Sequence, residues 1–239
     1  LDPVITTATA TRDIARHIFE QLVTFDSNME VQPMLAESYE INDEEHTVTF
    51  KLRQGIKFHN GDEMLAEDVV ASMEKWAVES AQAKSFLAGV TFEAIDDYTV
   101  VAYLEQPGLI DMCVFGDLTQ IAAIMPKEVV ESASEGGVTE YIGTGPYKFE
   151  EWKQDQYIHL TRFEDYQSVD RPSDGLSGEK AAYVDEIYFH LITDPSTRVA
   201  GLQSGEYHVA NFIPQDSVEQ LEADPNIINI ADINSIPGI

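Results

Sequence analysis

A mixed α+β fold is what this sequence predicts, and three observations carry the prediction. Val48, Phe50 and Leu52 alternate with Thr47, Thr49, Lys51 and Arg53, the period of two that a half-buried strand requires. After the turn-forming pair Asn60-Gly61, residues Val69, Val70, Met73, Trp76 and Ala77 recur on one face of a helix running to about Ser80. Strand and helix patterns then follow one another along the 239 residues without regular alternation, which speaks against a repeat or a barrel.

In chain order, Thr11 to Val23 reads as a helix, with Ile14, Ile18, Phe19 and Leu22 on one face and Thr11 as its cap. Leu35 to Ile41 and Thr47 to Arg53 read as strands joined by the polar turn Asn42 to His46. Val90 to Ile95 and Tyr98 to Leu104 form a hairpin around Asp96-Asp97. Pro126 to Ser134 is a short helix before the loop Glu135-Gly136-Gly137, and Tyr147 to Trp152 with Tyr157 to Phe163 make a second hairpin. The polar, Gly/Pro/Ser-rich interval Ser168 to Ala181 is the best internal boundary. Beyond it come a strand from Asp185 to Ile192 and a helix from Pro195 to Ser204, capped by Asp194 and stopped by Gly205. A helix near Gln215 to Glu222 and a strand near Ile227 to Ile230 follow.

Composition narrows the function. With 43 acidic against 14 basic residues the formal charge is -29, which repels phosphate backbones and anionic headgroups, so nucleic acid is not an expected partner. Cys113 is the single cysteine; no intramolecular disulfide is possible, and its apolar surroundings suggest a buried, inert thiol. No run of 18 apolar residues is present to span a bilayer.

Chemistry-bearing motifs are sparse. His59-Asn60-Gly61-Asp62 supplies turn residues rather than the three or four converging ligands of a metal site. Gly143-Thr144-Gly145-Pro146 leads into a strand and lacks the Lys-Ser/Thr of a phosphate loop, so its role is structural. The six histidines show no metal-ligand spacing, and no Gly-x-Ser-x-Gly elbow appears. An enzyme therefore lacks a nucleophile, a cofactor loop and a metal box, and no cofactor or metal is expected. His17 and Glu20 fall at i, i+3 and read as a surface pair on the first helix.

Wording carries more specificity than periodicity. Pro33-Met34-Leu35-Ala36-Glu37-Ser38-Tyr39, the stretch from Phe50 to Gly61, and Ala66-Glu67-Asp68-Val69-Val70 resemble the extracellular solute-binding proteins of family 5, the peptide and nickel binders of ATP-binding cassette importers. Leu1-Asp2-Pro3, the run from Ile142 to Phe149, Asp194 to Arg198 and Leu202 to Glu206 recur in the family's order. The resemblance implies a type II periplasmic binding protein fold of two lobes. Of these the chain would hold most of lobe 1, with lobe 2 absent. Residues 1–42 with 183–239 would form the outer part of that lobe, and 43–182 an inserted subdomain. It further implies a peptide or other small polar solute as ligand and a membrane permease as partner. The location would be extracytoplasmic, periplasmic or as a cell-surface lipoprotein. In the family a signal and a first strand precede Leu1-Asp2-Pro3, so an N-terminal truncation is expected, and any lipid-anchor cysteine would lie in the lost part.

Ligand residues follow from the same resemblance. The segment after Leu1-Asp2-Pro3 lines the cleft in peptide-binding relatives, and an arginine before the box here written Ile18-Phe19-Glu20 touches the ligand. That places Thr7, Thr9 and Arg16 at the cleft with Arg12 behind them, and Thr119 and Gln120 as further candidates. Arg16 offers a planar, five-donor fork suited to a carboxylate. Two departures from family wording stand out: Leu65 replaces a helix-capping threonine, and His208 replaces an aspartate. Alternatives on the same scaffold are a metal-chelate or glutathione carrier; in other classes, a secreted hydrolase using paired carboxylates or a solute sensor.

Overall fold

The computed structural model describes residues 1–105 and 112–228. The chain divides into two units, Leu1–Glu150 with His159–Ile187, and Glu151–Ile158 with the chain from Tyr188 on.

In the first unit, helix α1 (Thr9–Ile18) starts before the expected Thr11 cap and stops well short of Val23. Ala8 sits at the N-cap without a side-chain bond, and its N–H donates to Thr6 Oγ1 at 3.2 Å, a local turn that launches the helix early. The helix ends because Phe19 is extended (φ -113°, ψ 150°) and the carbonyls around it are taken by distant segments. Gly145 N–H donates to Ile18 O at 2.9 Å, Ile124 N–H to Glu20 O at 3.0 Å and Met34 N–H to Leu22 O at 2.9 Å. The apolar run Ile18 to Val23 satisfies helical spacing, but backbone pairing with other segments wins. Its end becomes strand β1 (Val23–Phe25), antiparallel to β2 (Val31–Pro33) across a turn in which Asp26 Oδ1 accepts from Asn28 and Glu30 N–H.

Strands β3 (Ala36–Asn42), β4 (Thr47–Leu52), β5 (Thr91–Asp96) and β6 (Thr99–Tyr103) form an antiparallel sheet of order β3-β4-β6-β5. Its inner face is the alternation read from sequence: Val48, Phe50, Leu52, Val100 and Ala102 are all buried. Helix α2 (Ala66–Glu79) lies against β5 and β6 and buries Val69, Met73 and Trp76. Trp76 and Phe50 both meet Phe115, with ring centroids 6.0 and 5.4 Å apart. Full burial of side chains such as Val69 or Met73 is worth roughly 1.5–3 kcal/mol each.

Leu65 gives α2 no side-chain cap, as its residue type requires. Asp68 compensates from the first turn: its Oδ2 accepts from Leu65 N–H and its Oδ1 from Lys127 N–H, both at 2.9 Å. Burial raises the Asp68 carboxyl above its ordinary pKa, although those two N–H bonds pull the other way. Ser80 closes α2 through its N–H to Trp76 O and opens α3 (Ala81–Phe86) by accepting from Ala83 N–H. Helix α4 (Lys127–Glu131) is shorter than expected, since Ser134 turns back to pair with Gly137.

Strands β7 (Tyr147–Lys153), β8 (Tyr157–Arg162) and β9 (Glu186–His190) are ordered β7-β8-β9. In the second unit α5 (Pro195–Ser204) has the expected limits: Asp194 Oδ1 accepts from Thr197 N–H at 2.7 Å, Pro195 opens the helix and Gly205 ends it at φ 75°. Helix α6 (Gln215–Glu222) also matches expectation. Of the strand expected at Ile227 to Ile230, residues 229 and 230 lie outside the described residues, and 227 and 228 are not strand.

Two expectations are corrected. Cys113 is exposed rather than buried, because its apolar neighbours Met112, Val114 and Phe115 take the interior positions. The Ser168 to Ala181 interval is a strap within the first unit. Ser168 O accepts from Arg53 Nη2 at 2.8 Å, Leu176 N–H donates to Phe25 O at 3.0 Å and Arg171 Nη2 to Pro33 O. Its polar composition serves these bonds instead of a linker.

Candidate functional site

The candidate ligand residues all belong to the first unit. Thr7 is exposed just before α1, Thr9 is the first residue of the helix and half-buried, and Arg12 and Arg16 follow one turn apart. Arg12 is buried; Arg16 is half-buried and donates through Nη2 to Leu118 O at 3.1 Å. That bond uses one of its five N–H donors, and no other Arg16 hydrogen bond is found within the described residues. Burial first, then the charge of Arg12, lowers the Arg16 pKa from its ordinary value, with Asp13 opposing. The group stays cationic at neutral pH.

Thr119 and Gln120 reach the same neighbourhood by way of the Leu118 backbone, in different states. Thr119 donates from both N–H and Oγ1 to Asp117 Oδ1, at 2.8 and 2.7 Å. Gln120 is buried with its amide committed at both ends: Nε2 donates to Val4 O at 2.8 Å and Oε1 accepts from Ala81 N–H at 3.0 Å. Its carbonyl also receives Trp76 Nε1 at 2.9 Å, so Gln120 ties the N-terminal segment to α2 and α3. Gln21 Nε2 reaches Asp117 O at 3.2 Å, a support for this loop that the sequence reading did not single out. Two open concavities of the surface, about 790 Å³ beside Lys51 and Asp96 and about 570 Å³ along α2, are lined by none of the six candidate residues.

Behind α1, three of the stretches that carry the family wording meet. Gly143 N–H donates to His59 Nδ1 at 3.2 Å, His59 N–H donates to Gly143 O at 3.0 Å, and His59 Nε2 lies 2.9 Å from Gly145 O. A ring that accepts at Nδ1 and donates at Nε2 is a neutral imidazole. Glu20, beyond the helix end, is buried and not the surface partner of His17. Its Oε2 accepts from Thr144 Oγ1 at 3.0 Å, and its Oε1 from Tyr166 OH at 2.9 Å and Lys180 Nζ at 3.4 Å. His17 instead turns Nδ1 to Asp13 O within the helix. This convergence gives His59 and Gly143 to Pro146 the structural work expected of them.

His59 should make the stability of the core pH-dependent. Burial lowers its pKa to about 4, with the Gly145 carbonyl opposing. Above pH 6.5 both folded and unfolded chains carry it neutral. As pH falls from 6.5 towards 4, only the unfolded chain takes up the proton, so stability is lost across that window, by up to roughly 3 kcal/mol. Denaturant titrations of the parent and His59→Gln across pH 7 to 4 should show a shallower slope in the variant; equal slopes would refute the assignment.

The first unit thus sets an antiparallel sheet against helix α2 and carries a half-buried arginine on α1, and no group of three or more His, Cys, Asp or Glu is placed to hold a metal among the described residues. Residues 30–238 match the model of the bacterial extracellular solute-binding proteins, family 5, and the chain belongs to that family. It is 31% identical over 236 residues to a probable peptide ABC transporter periplasmic-binding protein of Sinorhizobium fredii, covering 95% of this chain and 43% of that one. It is likewise 31% identical over 232 residues to the glutathione-binding protein GsiB of Shigella boydii, with the same coverage. Among solved structures, the periplasmic binding protein DppA of Helicobacter pylori with a bound peptide superposes with TM-score 0.78 at 27% identity, covering 95% of this chain and 47% of DppA. The binding protein AgaA of A. tumefaciens, in complex with agropinic acid, gives 0.79 at 26%, covering 94% and 44%. The fold is therefore that of the family 5 periplasmic binding proteins, and the chain spans less than half the length of these relatives.

Proposed function

We propose that this chain is most of one lobe of the substrate-binding component of an ATP-binding cassette importer, capturing a peptide or similar polar solute between two lobes and delivering it to a membrane permease outside the cytoplasm. The observation that carries the reading is the family match over residues 30–238. In this reading the protein works by capture and performs no chemistry: hinge closure buries the solute, and the permease receives it. In this reading residues 1–42 with 183–239 would make up the outer part of the lobe and 43–182 the inserted part. No cofactor, metal or nucleic acid takes part.

Thr7, Thr9 and Arg16 face the solute, Arg12 stands behind them, and Thr119 and Gln120 shape the adjoining loop. The Arg16 donors that have no partner among the described residues support this, since guanidinium N–H groups suit a carboxylate. Arg16→Ala in the full-length protein should weaken a carboxylate-bearing ligand by about 1.5–3 kcal/mol, the range of a charged hydrogen bond, while His59→Ala leaves affinity unchanged. Isothermal calorimetry checks both, and loss of binding in His59→Ala with an unchanged melting curve would overturn the site. The 239-residue chain alone should bind far more weakly than the full-length protein, because one lobe supplies part of the contact against nearly the whole ordering cost. Comparable affinity in both would remove the two-lobe mechanism.

A glutathione carrier is the second reading, favoured by the relatives named glutathione-binding proteins. Mass spectrometry of the solute that co-purifies with the full-length protein separates the two.

A further inference from the structure

A groove of about 570 Å³ runs along α2, between that helix, α4 and Ala94 of β5, and none of the candidate ligand residues lines it. Its lining is apolar along Val70, Ala71, Val78, Ala94 and Val130, and Val78 stands 66% exposed in the last turn of α2. Its rim is acidic. Lys127 is engaged by Glu67 at 3.0 Å and Lys75 by the buried Asp2 at 2.9 Å, so the two cations of the rim are already neutralised. Glu74, Glu79 and Glu131 face the groove without an ion pair among the described residues.

We propose that this groove docks a basic amphipathic helix presented by a protein partner. Charge complementarity selects that occupant. A second copy of a chain carrying formal charge -29 would bring the same acidic rim against this one, and an anionic lipid surface would be repelled. A helix with apolar residues at i, i+3, i+4 and i+7 and Lys or Arg beside them covers the valine floor and meets the three carboxylates. Apolar contact supplies the affinity and the rim supplies orientation. The site is separate from the proposed solute site, so either can fail without the other.

The test uses a fluorescently labelled 18-residue peptide of leucine and lysine in helical period, titrated with the protein at low and moderate salt. Val78→Glu is the decisive variant: the side chain is exposed, so folding is spared, and the change adds attraction for a cation while spoiling the floor. The proposal expects Val78→Glu to weaken binding by about ten-fold or more, the scale of one lost apolar side-chain burial. Binding equal to or tighter than the parent's would mean diffuse electrostatic attraction and would overturn the proposal. Glu74→Gln/Glu79→Gln/Glu131→Gln should also weaken binding and flatten its salt dependence, whereas Glu40→Gln/Glu44→Gln/Glu45→Gln, equal in charge and outside the groove, should not. Equal losses in the two triple variants would overturn it as well. A leucine and lysine peptide of scrambled period should bind more weakly than the patterned one, and equal binding would again count against the groove.

Discussion

Gly143→Ala should cost at least about 3 kcal/mol of stability, the upper part of the range for a group forced into a filled site. A Cβ at this position would collide with the Ile18 carbonyl oxygen and stand 2.8 Å from Phe19 Cδ1. Neither obstacle can rotate away: Ile18 O accepts the Gly145 N–H, and Phe19 is buried. His59 holds the Gly143 and Gly145 carbonyls, which restrains the backbone from retreating. Gly145→Ala meets His17 O at 2.5 Å and should behave alike. Gly136→Ala is the control, since its nearest neighbour is Ser134 Oγ at 3.6 Å, and it should change stability by less than about 0.5 kcal/mol. Urea denaturation of the three variants checks the ranking; a Gly143→Ala loss below 1 kcal/mol would mean that the close approach to α1 does not constrain the fold.

That locus also shows what sequence could and could not convey. β4, α2 and α5 are legible in the sequence, because β4 and α2 repeat their period often enough to be measured and α5 carries its own cap, proline and terminal glycine. β1 and β2 are three residues each, too short for any period, and β1 hides inside an apolar run that reads as helix. α3 could have been found from Ser80, which closes α2 as the donor to Trp76 O and is also a typical N-cap residue. The family wording singles out Arg16 and the threonines as candidates, yet cannot tell that Gln120 is buried with both amide ends engaged, since those partners, Val4 O and Ala81 N–H, lie 116 and 39 residues away. Long-range partners also explain Glu20. Local spacing paired it with His17, whereas Thr144, Tyr166 and Lys180 are its real neighbours.

Glu20→Ala follows as the second large effect, at about 3–5 kcal/mol, the cost of breaking a buried pair from one side. The carboxylate gathers three donors from two distant segments. Removing it strands the Thr144 hydroxyl, which is 1% exposed, and leaves the Lys180 ammonium without its counter-charge. The same carboxylate, with burial as the larger cause, drives the Tyr166 hydroxyl pKa far upward, so this phenol stays a donor at any pH the protein meets. Glu20→Gln keeps the shape and an acceptor oxygen and loses the charge, so its cost should fall to about 1–2 kcal/mol. If the ion pair matters as a pair, Glu20→Gln combined with Lys180→Met should cost less than the sum of the single losses, because the second change removes the stranded cation. Additive losses in that double-mutant cycle would assign the whole effect to Thr144 and Tyr166. A Glu20→Ala loss under 1 kcal/mol would mean that water replaces the carboxylate, and that the end of α1 is held by the glycine contacts alone.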